Sequence, residues 1–227
     1  MMSKILFDIK KNILKFMPVK YKCYLKEDYI TSHQNIKWWE NHINYIVLQQ
    51  YANELKGTIA DFGCNHGACT ILAARNNNVE NIVGFDLNKK AINIAKNLLK
   101  SSSESIVVKR KVRFVSSKLN RINYPDDYFD NGFMLHVLEH IYEKDRDNIT
   151  RELKRVLKKD GFLLITVPYE LAYDDGFQHV AFFDVKSLSN IMKTLGFTII
   201  ECYRDRRRDI HTPNGHDCLN ILLKNIK

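Results

Sequence analysis

A glycine-containing turn, followed about twenty residues later by an acid, is the strongest chemical signal in the sequence. The turn reads Asp61-Phe62-Gly63-Cys64-Asn65-His66-Gly67, and Asp86 comes nineteen residues after Gly67. Glycine lets the backbone approach a bound nucleoside closely, and asparagine is one of the few other residues that tolerate a left-handed backbone. A carboxylate at the tip of the next strand is placed to accept hydrogen bonds from both ribose hydroxyls. The pattern predicts a nucleoside-containing cofactor.

The spacing of the glycines distinguishes two classes of nucleoside-binding protein. Dinucleotide enzymes need Gly-x-Gly-x-x-Gly, whereas this turn is Gly-x-Asn-x-Gly and lacks the third glycine. We therefore do not expect a cradle for a pyrophosphate.

A second group of polar residues follows the apolar segment Phe129–Leu135. His136, Glu139 and His140 are spaced i, i+3, i+4, so a helical turn would point all three to one side. His179 lies in a later loop segment. Ligands of open α/β sheets bind outside the carboxyl ends of the strands, so this group is expected to face the same crevice as the cofactor.

Together these motifs resemble those of the class I S-adenosylmethionine-dependent methyltransferases, whose first motif is usually written Asp-x-Gly-Cys-Gly-x-Gly. The resemblance covers about residues 57 to 223 and includes Tyr124–Asp130, His136–Ile141, Leu153–Phe162 and Thr166–Pro168. It implies S-adenosylmethionine as the cofactor and an enzyme that transfers its methyl group.

The resemblance also implies which residues hold the cofactor. Those around the methionine and ribose are Asp61, Gly63, Cys64 and Gly67, with Asp86 on the ribose and Leu87 beside the adenine. The further cofactor-binding candidates are Asn65, Ser117 and His136. Two positions depart from the family. Asn65 replaces the usual middle glycine, and Ser117-Lys118 stands where many relatives carry an aspartate for the adenine amino group.

Three interpretations remain open for the group after Phe129–Leu135. The segment resembles the ubiquinone O-methyltransferases and small-RNA 2′-O-methyltransferases, in which Glu-x-x-Glu-His and a later histidine bind a divalent metal. That resemblance implies a metal held by His136, Glu139, His140 and His179, with His136 in place of the first glutamate. Alternatively, His140 or His179 is a metal-free general base, with Glu139 as the third catalytic residue. In the third interpretation Glu139 and His140 only hydrogen-bond the backbone.

The elements that would position these residues alternate between short apolar strands and amphipathic helices. The predicted strands are Thr58–Phe62, Asn81–Asp86, Val112–Val115, Phe129–Leu135, Phe162–Val167, Phe197–Tyr203 and Cys218–Leu223, and the predicted helices are Ala68–Asn76, Lys89–Lys100, Glu143–Lys158 and Asp184–Leu195. Such alternation predicts a mostly parallel sheet with helices on both faces. The last two strands lack a helix between them and predict an antiparallel hairpin. The fold class is α/β, a Rossmann-like class I methyltransferase fold with seven strands.

Residues 1–56 contain no convincing strand, and we divide the chain into an N-terminal helical cap, 1–56, and a cofactor-binding domain, 57–227. Apolar residues recur at helical spacing from Ile5 to Phe16 and from Asn35 to Leu55. We interpret these helices as a cover over the core or the face of a homodimer. The alternative is a basic amphipathic helix on a membrane surface. Trp38 and Trp39 are expected in packing or in a substrate lid.

Composition excludes several classes of protein. The 35 Lys+Arg against 26 Asp+Glu give a formal charge of +9, spread along the chain. No stretch reaches the roughly 18 apolar residues of a membrane span, and lysines interrupt the apolar residues of the N-terminus, unlike in a signal peptide. Five cysteines without a CxxC pair argue against a disulfide framework or structural zinc, and for a cytoplasmic location.

A cluster of arginines lies in the loop between the last two strands, comprising Arg204, Arg206, Arg207 and Arg208. Such a run is either a solvated face or a clamp for phosphate, since guanidinium matches phosphate oxygens. The intervening Asp205 and Asp209 argue against nucleic acid as the partner.

The expected reaction is methyl transfer to a hydroxyl or amine of a polar small molecule. A sugar in glycan or secondary-metabolite synthesis, free or linked to a nucleotide, is the first choice of acceptor. An RNA 2′-hydroxyl and a quinone-type phenol are alternatives, as is a catalytically weak cofactor-binding subunit that regulates a partner.

Overall fold

A computed structural model describes residues 35–169, 179–207 and 217–227 of the chain. Two short helices, α1 (Ile36–Trp39) and α2 (Ile43–Gln50), come first. The elements that follow are β1 (Gly57–Phe62), α3 (Ala68–Ala73), β2 (Val79–Asp86), α4 (Lys89–Ser101), α5 (Ile106–Lys111), β3 (Val112–Ser116), β4 (Asn131–Leu135), a 3₁₀ turn (Leu138–His140), α6 (Glu143–Val156), β5 (Phe162–Pro168), α7 (Val185–Thr194), β6 (Phe197–Asp205) and β7 (Cys218–Asn225).

The strands of the described residues form one seven-stranded sheet in the order β3-β2-β1-β4-β5-β7-β6. The first five are parallel to one another, whereas β7 pairs antiparallel with both β5 and β6. The predicted α/β fold and its C-terminal antiparallel hairpin are therefore confirmed. The strand order reverses beside β1, and the carboxyl ends of β1 and β4 lie next to each other there.

Helices bury both faces of this sheet, because successive strand residues point to opposite sides. On β1, Ile59 packs in a cluster with α1 to α4, and Ala60 and Phe62 pack in a second cluster with α6 and α7. Both faces of the central strands are thus apolar, and the polar site residues lie at the strand ends.

Several element boundaries differ from the prediction. The fourth strand begins at Asn131 rather than Phe129, because Phe129 bridges to Leu157 and the Asp130 carboxylate accepts a hydrogen bond from Thr58 N at 2.8 Å. The second strand starts earlier, at Val79. Helix α5 was not predicted; it is short and buries none of its residues.

The predicted single helix from Asn35 to Leu55 is two helices in the structure. The Asn35 side chain caps α1, and the His42 side chain accepts a hydrogen bond from Asn44 N to start α2. A second N-cap within the segment forces a break in the helix. The predicted helix from Ile5 to Phe16 lies outside the described residues. No helix within the described ranges combines the length and apolarity that a membrane crossing requires.

Candidate functional site

The turn after β1 is held open by two glycines and an asparagine with positive φ. Gly63 has φ 94°, Asn65 has φ 49° and Gly67 has φ 80°. A Cβ on Gly63 would lie 2.3 Å from Cγ2 of Val137, and one on Gly67 would lie 2.5 Å from the ring of Phe114. Both positions therefore require glycine, for space and for backbone conformation.

Backbone hydrogen bonds tie this turn to the end of β2. Gly63 N and Cys64 N both donate to Phe85 O at 2.8 Å. Asp86 accepts at one carboxylate oxygen from Asn65 N at 2.9 Å and at the other from Asn88 N at 2.8 Å. The acid is thereby fixed beside the turn, and its remaining lone pairs can accept the ribose hydroxyls.

Two further residues border the place expected for adenine. The Leu87 side chain, next to Asp86, is 67% exposed, which suits an apolar surface covered by a ligand. Ser117 N donates to Asp86 O at 3.0 Å, but the Ser117 hydroxyl already bonds the carbonyls of Lys118 and Arg121. Ser117 therefore lies beside the site with its hydroxyl hydrogen already in use.

Asp61 is a buried carboxyl beneath the turn. Thr70 Oγ1 donates to its Oδ2 at 2.5 Å. Burial raises the pKa of Asp61 to about 7, with the hydrogen bond from Thr70 opposing the rise and the charge of Asp86 adding to it. Burial likewise raises the pKa of the Cys64 thiol well above its usual range, so this thiol is not a nucleophile.

The turn after β4 lies against the turn after β1 through the contact of Val137 with Gly63. His136 has φ 55°, and the 3₁₀ turn begins only at Leu138. The helical spacing expected for the three polar residues therefore holds only for Glu139 and His140. His136 projects from a left-handed position ahead of the turn.

Glu139, His140 and His179 come together at this turn. One ligand atom from each lies within 4.8 Å of the others. Val180 N and Ala181 N donate to the Glu139 carbonyl at 2.8 and 3.2 Å, which brings the later loop onto the turn. His179 and His140 have ring centroids 5.0 Å apart.

The Glu139 carboxylate is buried, and its side chain is 2% exposed. Among the residues that the structure describes, neither carboxylate oxygen has a hydrogen-bond partner. Oε1 lies 3.5 Å from Nδ1 of His136 and 4.0 Å from Nε2 of His140. A buried carboxylate between imidazole rings is suited to holding a cation or receiving a proton.

Comparison with known proteins agrees with this geometry. Residues 60–165 match the model of a family described as a methyltransferase domain. That span contains the turn after β1, Asp86 and the turn after β4. This match identifies a methyltransferase domain within the chain, and the strand order and the two turns fit a class I S-adenosylmethionine-dependent enzyme.

Solved structures with the same fold are distant in sequence. A methyltransferase of Aquifex aeolicus superposes with a TM-score of 0.69 at 18% identity, over 88% of this chain and 98% of that one. A methyltransferase of Methanosarcina mazei gives 0.65 at 20% identity, over 79% and 97%. SpnF, a [4+2]-cyclase, gives 0.65 at 18%, over 80% of each chain. These matches show the fold, and SpnF shows that the fold also occurs in a cyclase.

The methyltransferase has residues that fit S-adenosylmethionine. The two glycines leave a turn without side-chain obstruction, Asp86 can accept the ribose hydroxyls, and Asp61 offers a buried carboxyl of raised pKa to a cationic group. The residues at the turn after β1 or at the end of β2 are Asp61, Gly63, Cys64, Asn65, Gly67, Asp86 and Leu87, and their binding of the cofactor stays a prediction.

His136 contacts different partners in the methyltransferase from those expected. Its Nε2 lies 3.1 Å from Oδ1 of Asn44, and it is not part of the 4.8 Å group found among the described residues. Burial lowers the pKa of His136, but Cys218 and Glu139 outweigh burial and raise it to about 10. The structure thus brings three of the four expected metal ligands together and turns the fourth toward α2.

The contact of α2 with this site was not predicted from the sequence. Asn44 carries no motif, and only its contact with His136 reveals it. Trp39 is buried, with its ring 4.5 Å from that of His42 and 5.1 Å from that of His66 in the cofactor turn. Of the two uses considered for this tryptophan, packing is the one observed.

The arginine cluster is largely engaged within the methyltransferase. Arg204 forms a bidentate pair with Asp217 and lies 3.5 Å from the centre of the Tyr169 ring. Arg207 pairs with Asp205 and donates to Gln50 at 2.8 Å. Both guanidinium groups are therefore paired with carboxylates of the hairpin and are not positioned as a clamp for phosphate. Arg208 lies outside the described residues.

Proposed function

We propose that this methyltransferase methylates a hydroxyl group of a polar small molecule, in the first place a sugar. The observation that carries this proposal is the group of Glu139, His140 and His179, which adjoins Val137 and hence the cofactor turn. A hydroxyl must lose a proton as it accepts a methyl group, and two imidazoles beside a carboxylate suit that task.

The steps that we assign to the protein are binding, alignment and proton removal. Asp86 binds the ribose, and ionised Asp61 faces the ammonium group of the cofactor. His140 or His179 takes the proton of the acceptor hydroxyl, and Glu139 stabilises the resulting imidazolium. The sulfonium already activates the methyl group, so alignment of acceptor, methyl and sulfur contributes most, on the order of 7–11 kcal/mol.

A divalent metal at the same three residues is a second proposal, supported by the buried Glu139 oxygens that lack a hydrogen-bond partner within the described residues. One carboxylate and two imidazoles form a donor set that suits zinc or other first-row metals and leaves a coordination position open. When bound, such a metal lowers the pKa of the acceptor hydroxyl. His136 is not needed in this set.

The choice of a sugar rests on the polar character of the acceptor side. Glu139, His140 and His179 offer donors and acceptors to a molecule with several hydroxyls. The pairing of Arg204 and Arg207 within the chain removes a reason to expect a nucleotide on the sugar, so free sugars come first. The structure shows no disulfide among the cysteines it describes, which supports a cytoplasmic reaction as part of the proposal. The homodimer and the division at residue 56 stay predictions.

Calorimetry followed by an acceptor screen tests the proposed function. We expect S-adenosylmethionine and S-adenosylhomocysteine to bind, and turnover with methyl glucoside or rhamnose to exceed that with UDP-glucose, catechol or a short RNA. Turnover of catechol or RNA alone would show that the methyl acceptor is a phenol or an RNA 2′-hydroxyl instead of a sugar. Cofactor binding without turnover of any acceptor would favour a regulatory subunit.

The metal proposal has its own test. The metal-free protein is titrated with Zn²⁺ and with Mn²⁺, and Glu139→Gln is compared with Glu143→Gln, an exposed glutamate at the start of α6. We expect Glu139→Gln alone to weaken binding. Unchanged turnover after EDTA treatment would leave the general-base mechanism in place and exclude an essential exchangeable metal.

A further inference from the structure

Asn44 is a buried polar residue near the start of α2, outside the span matched by the family model. Its exposed fraction is 9%. The residue two positions earlier, His42, is 5% exposed and accepts a hydrogen bond from Asn44 N at its Nδ1, at 3.2 Å. Because this N-cap holds the first turn of α2 in place, it also holds the backbone of Asn44 in place.

The Asn44 side chain is directed at the turn after β4. Its Oδ1 lies 3.1 Å from Nε2 of His136. An amide oxygen can only accept, so Nε2 of His136 must carry the hydrogen of this bond. The hydrogen bond at one ring nitrogen sets the orientation of the ring and of the other nitrogen.

The other ring nitrogen of His136 faces the proposed acceptor site. Nδ1 lies 3.5 Å from Oε1 of Glu139, the buried carboxylate between His136 and the two other imidazoles. His136 N donates to Thr166 O at 2.8 Å, and the ring also interacts with Cys218. Of these partners, Asn44 is the one supplied by the N-terminal helices.

We propose that Asn44 is a positioning residue for methyl transfer, holding the His136 ring so that Nδ1 faces Glu139 and keeps that carboxylate directed at His140 and His179. The proposal rests on the proposed function of this group. Under this proposal α2 contributes to catalysis, because its residue Asn44 contacts His136, which in turn contacts Glu139 on the acceptor side. Loss of a hydrogen-bond partner of a metal-bound histidine typically lowers activity by about 10–100-fold, and we expect an effect of that order here.

Two substitutions of Asn44 separate positioning from packing. Asn44→Leu keeps the approximate volume and removes the acceptor, whereas Asn44→Asp keeps an acceptor oxygen in place. Activity is measured with the methyl-accepting substrate that the screen identifies. We expect Asn44→Leu to lower kcat about 10–100-fold while KM and the affinity for S-adenosylmethionine change less than about twofold. Asn44→Asp should retain most of the activity.

The matched control is Asn131→Leu, which also removes a buried asparagine. Asn131 bonds Lys56 O and Phe162 N at the start of β4, at the end of the strand opposite to His136. It should destabilise the fold without affecting the His136 ring. Equal losses of kcat in Asn44→Leu and Asn131→Leu, in proportion to their lowered unfolding temperatures, would overturn the proposal.

A spectroscopic measurement tests the contact without any acceptor. In protein labelled with ¹⁵N at histidine, the ring nitrogens of His136, assigned with His136→Gln, report the hydrogen bond that each nitrogen makes. We expect these signals to move in Asn44→Leu and to stay in Asn44→Asp and Asn131→Leu. Unmoved signals in Asn44→Leu overturn the proposal. If the wild type turns over no acceptor, the proposed function fails, and this measurement still decides whether Asn44 sets the His136 ring.

Discussion

The turns after β1 and β4 lie side by side, yet their residues are held by different means. Around the first turn the contacts are local: Gly63, Cys64 and Asn65 are bonded to Phe85 and Asp86. Backbone groups make most of these bonds, so glycines at the right spacing suffice to specify them.

The second turn is completed by side chains from distant parts of the sequence. Asn44 is 92 positions away from its partner His136, and His179 arrives from the loop before α7. The cofactor side can therefore be recognised from spacing, whereas the acceptor side depends on which distant elements the fold brings to it.

The largest effect is expected on the acceptor side. Alanine in place of the general base, His140 or His179, should lower kcat by about 10²–10⁴, the usual contribution of such a base, and alanine at the other histidine should lower it less. Affinity for S-adenosylmethionine, measured by calorimetry, should change little because neither residue is part of the cofactor turn. Equal losses of affinity and turnover would show that the two sides of the crevice are not separable.

Gly63→Ala should weaken the binding of S-adenosylmethionine. The added Cβ would collide with Val137 and occupy a backbone with φ 94°, which strains the folded turn, and displacement of the turn should lower the affinity for S-adenosylmethionine by about 100-fold. The double variant with Val137→Ala removes the collision but not the backbone strain and should recover part of the affinity. Normal binding by Gly63→Ala would contradict the geometry.

The ionisation of Asp61 should make cofactor binding depend on pH. Because its pKa is raised to about 7, the carboxylate that we propose to face the cofactor ammonium is lost as the pH falls below 7, and affinity should fall by up to about tenfold per pH unit. Asp61→Asn should bind more weakly and without this dependence. A flat calorimetric profile for the wild type between pH 5.5 and 8.5 is the contrary result.

The same raised pKa affects folding in the opposite sense. The folded state keeps a proton on Asp61 that the unfolded chain loses near pH 4, so this residue's contribution to stability decreases between about pH 4 and 7. Urea unfolding of the wild type and Asp61→Asn across that range should show the difference.

The smallest effect is expected at the arginine cluster. Arg204→Ala removes a partly exposed pair with Asp217 and should lower the free energy of unfolding only slightly, because solvent screens such a pair. Turnover of UDP-glucose relative to methyl glucoside should not change. A selective loss of turnover with UDP-glucose would instead indicate that Arg204 binds phosphate.

Much of the fold could be predicted because short apolar strands and amphipathic helices carry their own periodicity. The errors lie where tertiary contacts decide. The His42 N-cap divides a continuous apolar pattern into α1 and α2, and Phe129 leaves the strand to bridge Leu157. Helix α5 lacks a buried face, so its sequence gives no periodic signal.

The class of reaction and the cofactor turn could be predicted from the residue pattern, because the glycines, Asn65 and Asp86 act within one strand-turn-helix unit and its neighbour. The contact of His136 with Asn44, the position of Glu139 between histidines from two loops, and the ion pairs of Arg204 and Arg207 are visible only in the folded chain. Side chains far apart in sequence meet only when the sheet and its covering helices have formed.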